Sequence, residues 1–181
     1  MSKLFYLIRH CHPAGQTPNA PLTPEGCTQA EALADFLAGA EIERIVSSPY
    51  ERARQSIAPL AERLGIGIET DARLCERVLS PVPRADWRDR LRESFEDLDL
   101  CLAGGESSRT AMQRAVAVVD EVRRHPARSI ALVTHGNLLT LLLRRFDGRS
   151  GFDTWCKLTY PDVFRVLFGK RGAQVERVWR E

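Results

Sequence analysis

Two short apolar runs limit what this chain can fold into. Leu4-Phe5-Tyr6-Leu7-Ile8 stops abruptly at Arg9-His10-Cys11, and Ser129-Ile130-Ala131-Leu132-Val133-Thr134 stops at His135-Gly136-Asn137. Both are rich in β-formers and apolar at consecutive positions, as in a parallel strand covered on both faces. For the first run, periodicity alone leaves a buried helix open. Read as strands, each delivers a histidine to a carboxyl end, where open α/β sheets place their ligands. A parallel arrangement then brings His10 and His135 into one crevice.

Strand and helix signals alternate between and around these runs. Cys11 to Pro21 is rich in Pro, Gly, Asn and Thr and reads as a loop. Thr23 is placed to cap a helix that has Pro24 at its first position and Glu25 near its positive end. Ala30, Leu33, Ala34, Leu37 and Ala38 recur at helical spacing, and Gly39 ends that helix. Glu43 to Ser47 is a second strand. Ser48-Pro49 repeats the start signal for a helix from Tyr50 to about Leu64, which Gly65 terminates. Ile66 to Glu69 fits a third, edge strand. Residues 71 to 105 are the least legible, with Pro81, Pro83, Gly104-Gly105 and a charged segment from Trp87 to Leu98. The plain reading of that segment is a solvated helix with Trp87 partly buried. Glu106 to Arg124 is a helix striped by Ala115, Val118, Val119 and Val122. Leu138 to Phe146 is a further helix. The tail holds two strands, Val163 to Phe168 and Gln174 to Trp179, joined by a Gly169-Lys170-Arg171-Gly172 turn. The alternation predicts an α/β protein, a three-layer α/β/α sandwich with a mostly parallel central sheet. At 181 residues the chain fits a single domain, with about 77–105 as a cap-like insertion.

The bulk properties narrow the partners. A formal net charge of +2 with well-mixed signs offers no basic stripe, so no nucleic-acid partner is expected. No apolar stretch reaches bilayer length, and the start lacks the build of a signal peptide, so no membrane partner is expected. Five scattered cysteines never form a C-x-x-C pair. That argues against a disulfide framework or zinc knuckle and for a reduced, cytoplasmic setting.

Arg9 adjoins His10, and Arg52 lies in the first turn of a helix that follows a strand, so both cations reach the same sheet edge. Helix N-termini at that edge add N–H donors for an anion. Two histidines, two arginines and a helix end outline a phosphate-sized pocket.

These pieces, in order, resemble the histidine phosphatase superfamily, also called the phosphoglycerate mutase-like family. The matching stretches are Leu7-Ile8-Arg9-His10, Leu22-Thr23-Pro24-Glu25-Gly26, Ser47 to Ser56, Gly104-Gly105-Glu106-Ser107 and Val133-Thr134-His135-Gly136-Asn137. The resemblance implies that His10 is the nucleophile and becomes phosphohistidine. It implies that Arg9, Arg52 and His135 bind the phosphoryl oxygens, which suits a transition state stabilised by preorganised cations. Leu74-Cys75-Glu76 fits the family's Leu-x-Glu pattern, so Glu76 is assigned as general acid and later base, with Glu93, Asp97 and Glu106 as competitors. The acid-phosphatase branch places an aspartate where Gly136 stands, which counts against that branch. The family's asparagine-bearing loop is short here, and Gln16 stands where that asparagine would. Gln16 and Gly136 complete the expected substrate-binding set. The usual small residue after the histidine is Cys11, and Glu76 is followed by Arg77-Val78-Leu79-Ser80-Pro81 instead of Gly-x-Trp-Glu-Gly.

Other chemistries fit less well. His10-Cys11-His12 has no carboxylate at shared spacing, so no metal is expected. Cys11, beside an arginine and two histidines, invites a lowered pKa and sensitivity to oxidation, but it lacks a Cys-x5-Arg phosphate loop. Gly169-Lys170 is not a P-loop. The expectation is a phosphomonoester hydrolase acting on a small phosphorylated substrate, with no cofactor. The alternatives are mutase-type phosphotransfer and a catalytically weak phosphate- or phosphoprotein-binding module. Oligomeric state is not legible.

Overall fold

In the computed structural model, which describes residues 2–170 and 172–179, the first strand β1 (Lys3–Arg9) sends Phe5 and Leu7 to one face and Ile8 to the other. Strand β4 (Ser129–Thr134) likewise splits Ile130 and Leu132 from Ala131 and Val133. Side chains alternate along any strand. Here both faces are buried, so the sequence shows an unbroken apolar run where a half-exposed strand would alternate.

The remaining elements are α1 (Pro24–Leu37), β2 (Arg44–Ser47), α2 (Glu51–Leu64), β3 (Ile68–Thr70), a 3₁₀ turn (Ala72–Leu74), α3 (Trp87–Glu96), α4 (Ser108–Arg124), α5 (Gly136–Asp147), α6 (Phe152–Cys156), β5 (Asp162–Gly169) and β6 (Gly172–Arg177). The sheet runs β3-β2-β4-β1-β5-β6. Its first four strands are parallel, and β5 and β6 are antiparallel additions. A tight hairpin can join only antiparallel neighbours, which fixes the direction of β6 against β5. Leu33, Leu37, Ile57 and Leu60 of α1 and α2 pack on the face that carries Ile8. Side chains of α3, α4 and α5 pack on the opposite face, around Phe5 and Leu7. The expected three-layer α/β/α arrangement is therefore present.

Two differences from the sequence reading have physical causes. Helix α6 spans only five residues between Gly151 and Lys157, too short for periodicity to register. Trp87 is 46% exposed, because α3 turns Leu91 and Phe95 into the core instead. Those two residues tie the 77–105 segment to the main core. Both tail strands and their antiparallel pairing are present, with the second beginning at Gly172 and ending at Arg177, two residues short of the expected Trp179, and Arg171 of the turn lies outside the described residues.

The register places the two histidines. Arg9 pairs with Thr134, so His10 and His135 step off adjacent parallel strands, and the His10 amide donates to the Thr134 carbonyl at 3.1 Å. One residue further, the Cys11 amide donates to Ser56 Oγ at 2.7 Å, and that hydroxyl donates to the Arg52 carbonyl at 2.6 Å. Ser56 thus bolts the end of β1 to the helix that carries Arg52. At Gly26 a Cβ would stand 2.2 Å from the His12 carbonyl oxygen, so only glycine lets α1 close on this loop. Replacing Ser56 with Ala leaves the buried Cys11 N–H without its partner. The expected cost is about 1–3 kcal/mol, measured as a lower denaturant midpoint together with faster amide exchange at Cys11.

Candidate active site

His10 is 4% exposed, and its two ring nitrogens have different partners. Nδ1 lies 2.7 Å from the Cys11 carbonyl oxygen, while Arg52 Nε donates to Nε2 at 3.3 Å. A carbonyl only accepts, so Nδ1 carries the proton, and Nε2 keeps its lone pair. Burial, reinforced by the positive charges of Arg52, Arg9 and His12, pulls the imidazole pKa down to about 3, against the opposing bond to the Cys11 carbonyl. A neutral imidazole with an unprotonated Nε2, its lone pair accepting only the long bond from Arg52, is a nitrogen nucleophile.

His135 is 1% exposed, with its ring centroid 5.0 Å from that of His10. Its Nε2 is 2.8 Å from Ser48 Oγ, which also accepts the Tyr50 amide at 3.3 Å. Its Nδ1 is buried with no hydrogen-bond partner among the described residues. Burial, followed by electrostatic interaction with the adjoining His10 ring and the charges of Arg52 and Arg9, holds this imidazole well below its ordinary pKa.

The two arginines are held by backbone carbonyls. Arg52, 2% exposed, donates through Nη1 to Thr17 O at 2.8 Å and Gln16 O at 3.3 Å. The nearby Arg54 faces solvent and pairs with Glu51, so of the two it is Arg52 that reaches the cavity. Arg9 donates through Nη1 to Leu158 O at 3.2 Å and Thr159 O at 3.3 Å, and its guanidinium lies 3.6 Å from the Tyr160 ring centroid. Its Nε is buried without a partner. A Cβ on Gly136 would come within 3.2 Å of that Nε, so the glycine makes room for the stacked guanidinium. Burial lowers the pKa of both arginines, but guanidiniums this basic stay charged.

Glu76 reaches the site through a chain of contacts. Thr134 Oγ1 donates to the Leu74 carbonyl at 2.8 Å, which fixes the 3₁₀ turn beside the end of β4. Two residues on, the Glu76 carboxylate accepts the amides of Asn137 (2.9 Å), Leu138 (3.0 Å) and its neighbour Arg77 (2.8 Å). The first turn of α5 was expected to offer its amides to an anion. Two of them are taken by Glu76, an internal carboxylate at the positive helix end. The competing acids are engaged elsewhere: Glu93 with Arg90, Glu106 with Arg114, and Asp97 with the Asp99 amide.

Arg9, His10, Arg52, Glu76, His135, Gly136 and Gln16 all line one cavity of about 400 Å³. Every site residue expected from the sequence is therefore in one place. Three aromatics complete the lining, Trp87, Trp155 and Tyr160. Trp155 and Tyr160 sit in a stretch without periodicity, and lone aromatics there gave no signal. Cys11 corrects an expectation. It is fully buried, and burial pushes its thiol up to about 12, so it is an inert core residue and not an oxidation-prone thiolate. The His12 ring nitrogen Nδ1 lies 3.1 Å from Thr23 Oγ1. No helix of the described residues is long and apolar enough to cross a membrane.

Comparison with known proteins agrees with this geometry. A family model described as histidine phosphatase superfamily (branch 1) matches residues 5–179. A glucosyl-3-phosphoglycerate phosphatase of Mycobacterium tuberculosis is 31% identical over 144 residues, 67% of this chain and 61% of the relative. A Yersinia pestis protein named "Probable phosphoglycerate mutase GpmB" is 31% identical over 162 residues, covering 79% of this chain and 74% of that one. The chain spans less than two thirds of the length of the mycobacterial relatives it matches, 63% and 61%. In fold, a solved mycobacterial glucosyl-3-phosphoglycerate phosphatase superposes with a TM-score of 0.79 at 24% identity, covering 99% of each chain.

The depressed histidines make stability depend on pH in one direction. Between about pH 3 and 6.5, the unfolded chain protonates His10 while the native state does not. Stability therefore falls as pH drops through that window, by up to about 1.4 kcal/mol per pH unit for each such histidine, and is insensitive to them above it. His10→Asn is expected to flatten the slope of denaturation midpoint against pH. Nitrogen chemical shifts at pH 5 are expected to show His10 neutral with the proton on Nδ1; a charged ring at that pH contradicts the assignment.

Proposed function

We propose, for a chain that belongs to the histidine phosphatase superfamily, a phosphomonoester hydrolase that works through a phosphohistidine on His10. The observation that carries this reading is the buried, neutral His10 whose Nε2 lone pair points at a guanidinium, beside Arg9 Nε and His135 Nδ1, which are buried without a hydrogen-bond partner. A phosphate monoester entering the cavity supplies acceptors to the guanidiniums. Arg9, Arg52 and His135 take the equatorial oxygens, where charge spreads in the transition state. His10 Nε2 attacks phosphorus while the Nδ1–H bond to the Cys11 carbonyl supports the positive ring that forms. The ester oxygen departs with a proton from Glu76. Glu76 then accepts a proton from water as that water attacks the phosphohistidine, releasing phosphate and restoring neutral His10. Splitting the displacement in two lowers each barrier. The guanidiniums supply the neutralisation that a metal supplies in other phosphatases, so this mechanism uses none.

Hydrolysis is favoured over mutase chemistry because a mutase must exclude water while its substrate reorients, which calls for larger lid insertions than residues 77–105 supply. That segment serves as a partial cap over the cavity. The substrate class is a small phosphorylated metabolite, as the names of the phosphatase and mutase relatives suggest. A cytoplasmic setting suits the five free cysteines. Because Glu76 is held by three backbone donors, a phosphate-binding module of weak activity is the second reading.

Exposure to a radiolabelled phosphoester, followed by alkaline denaturing quench to preserve the acid-labile N–P bond, is expected to leave label on His10. His10→Ala is expected to lose the label and about 10³-fold or more in turnover. Glu76→Gln is expected to lower kcat by about 10²–10⁴-fold, while Arg54→Ala leaves it unchanged. An unlabelled enzyme, or turnover retained in His10→Ala, rules the mechanism out, and full activity in Glu76→Gln rules out the assigned acid.

A further inference from the structure

The cavity that holds His10 opens onto a second space of about 740 Å³, and Gln16, Arg52, Glu76 and Trp87 line both. Glu76 stands between them. On the mechanism above it protonates the departing oxygen, so the second space is where the leaving group lies. Its wall is apolar: Val78, Leu79, Pro81, Val82, Pro83 and Trp87 line it. Three of these are large hydrophobes left open to solvent, Val78 at 45%, Val82 at 61% and Trp87 at 46%. The chain keeps this surface uncovered although burying it would be favourable.

The charges of the wall point the same way. Beyond Arg52, which serves the phosphoryl side, its cations are Arg77 and Arg84. Arg77 donates through Nε to Glu106 O at 2.8 Å and through Nη1 to Ser94 Oγ at 2.7 Å, while its Nη2 is buried without a hydrogen-bond partner. Arg84 is forked onto the Asp86 carboxylate at 2.9 and 3.0 Å. Arg84 is thus neutralised, and the one unpartnered nitrogen of Arg77 is buried away from the surface of the groove. A carboxylate placed there loses water and gains no cationic partner at the surface, whereas an apolar group loses only unfavourable hydration.

We propose that the preferred substrates are phosphomonoesters of bulky, predominantly apolar alcohols, whose leaving group seats in the Val78–Trp87 groove. This rests on the hydrolase reading and specifies its substrate class. Recognition divides in two: the buried cations take the phosphoryl group, and the groove selects by apolar contact. Discrimination against small anionic esters follows from the unpaired carboxylate.

The test compares three alkyl esters of similar leaving-group basicity, 3-phenylpropyl phosphate, propyl phosphate and 3-phosphoglycerate, by phosphate release. The expected kcat/KM for the phenylpropyl ester exceeds both others by about tenfold or more. A Val78→Asp/Val82→Asp double substitution, at two exposed loop positions, is expected to reduce the phenylpropyl-to-propyl ratio by about threefold or more. Equal or better use of 3-phosphoglycerate overturns the proposal, as does a ratio unmoved by the double substitution. Binding of 3-phenylpropylphosphonate and propylphosphonate, followed by tryptophan fluorescence, reads the groove without turnover. Tighter phenylpropyl binding with no hydrolysis of any ester defeats the hydrolase reading and supports the groove. Hydrolysis of all three without preference defeats the groove and retains the hydrolase.

Discussion

Positive charge buried without a direct ion pair is the constraint on which this molecule turns. Arg9 and Arg52 are taken out of water, yet neither forms an ion pair among the described residues; backbone carbonyls and aromatic faces hold them. Burying a charge in this way costs stability that a paired carboxylate would partly offset. Burial above all keeps His10 and His135 neutral, and the guanidiniums reinforce it, since a protonated imidazole beside them would add a third like charge. The result is a cavity lined by guanidiniums and neutral imidazoles, with Arg9 Nε and His135 Nδ1 buried without a hydrogen-bond partner.

The scaffold holds this unfavourable arrangement by tying each charged group to a different element. Ser56 of α2 fastens the end of β1, Thr134 of β4 fastens the turn before Glu76, and Glu76 closes the first turn of α5. The segment that offers Leu158 and Thr159 carbonyls to Arg9 is pinned by buried Asp162, which accepts the Thr159 amide at 3.1 Å and pairs with Arg177 at 2.7 Å. The crossing of α6 over α3, through Trp155 against Trp87 at 5.9 Å, carries aromatic surface to the cavity mouth. Charge is thus confined to the sheet edge and apolar surface to the loop above it.

Much of the architecture could be read along the chain because each signal was local. Thr23 caps α1 and accepts the Gly26 amide at 3.0 Å, Gly65 ends α2 in the left-handed conformation, and β1 and β4 announced themselves by unbroken apolar runs. Residues whose position depends on distant partners were hidden. Tyr160 becomes part of the site only because β5 pairs antiparallel with β1, and Trp155 only because a five-residue helix folds against α3. Cys11 was misread for the same reason. Its sequence neighbours suggested an activated thiol, but its spatial surroundings are the core, and burial dominates the nearby charge.

By itself the sequence determined the sandwich, the order of its elements and which residues are offered to the sheet edge, because capping, turn chemistry and strand burial are encoded within a few neighbouring residues. Only the tertiary structure decided how those residues are used. It chose the Nδ1–H tautomer of His10, selected Arg52 over Arg54, and gave two amides of α5 to Glu76. Hydrogen-bond partners and desolvation are properties of the folded surroundings, and those surroundings are assembled from strands and loops more than a hundred residues apart.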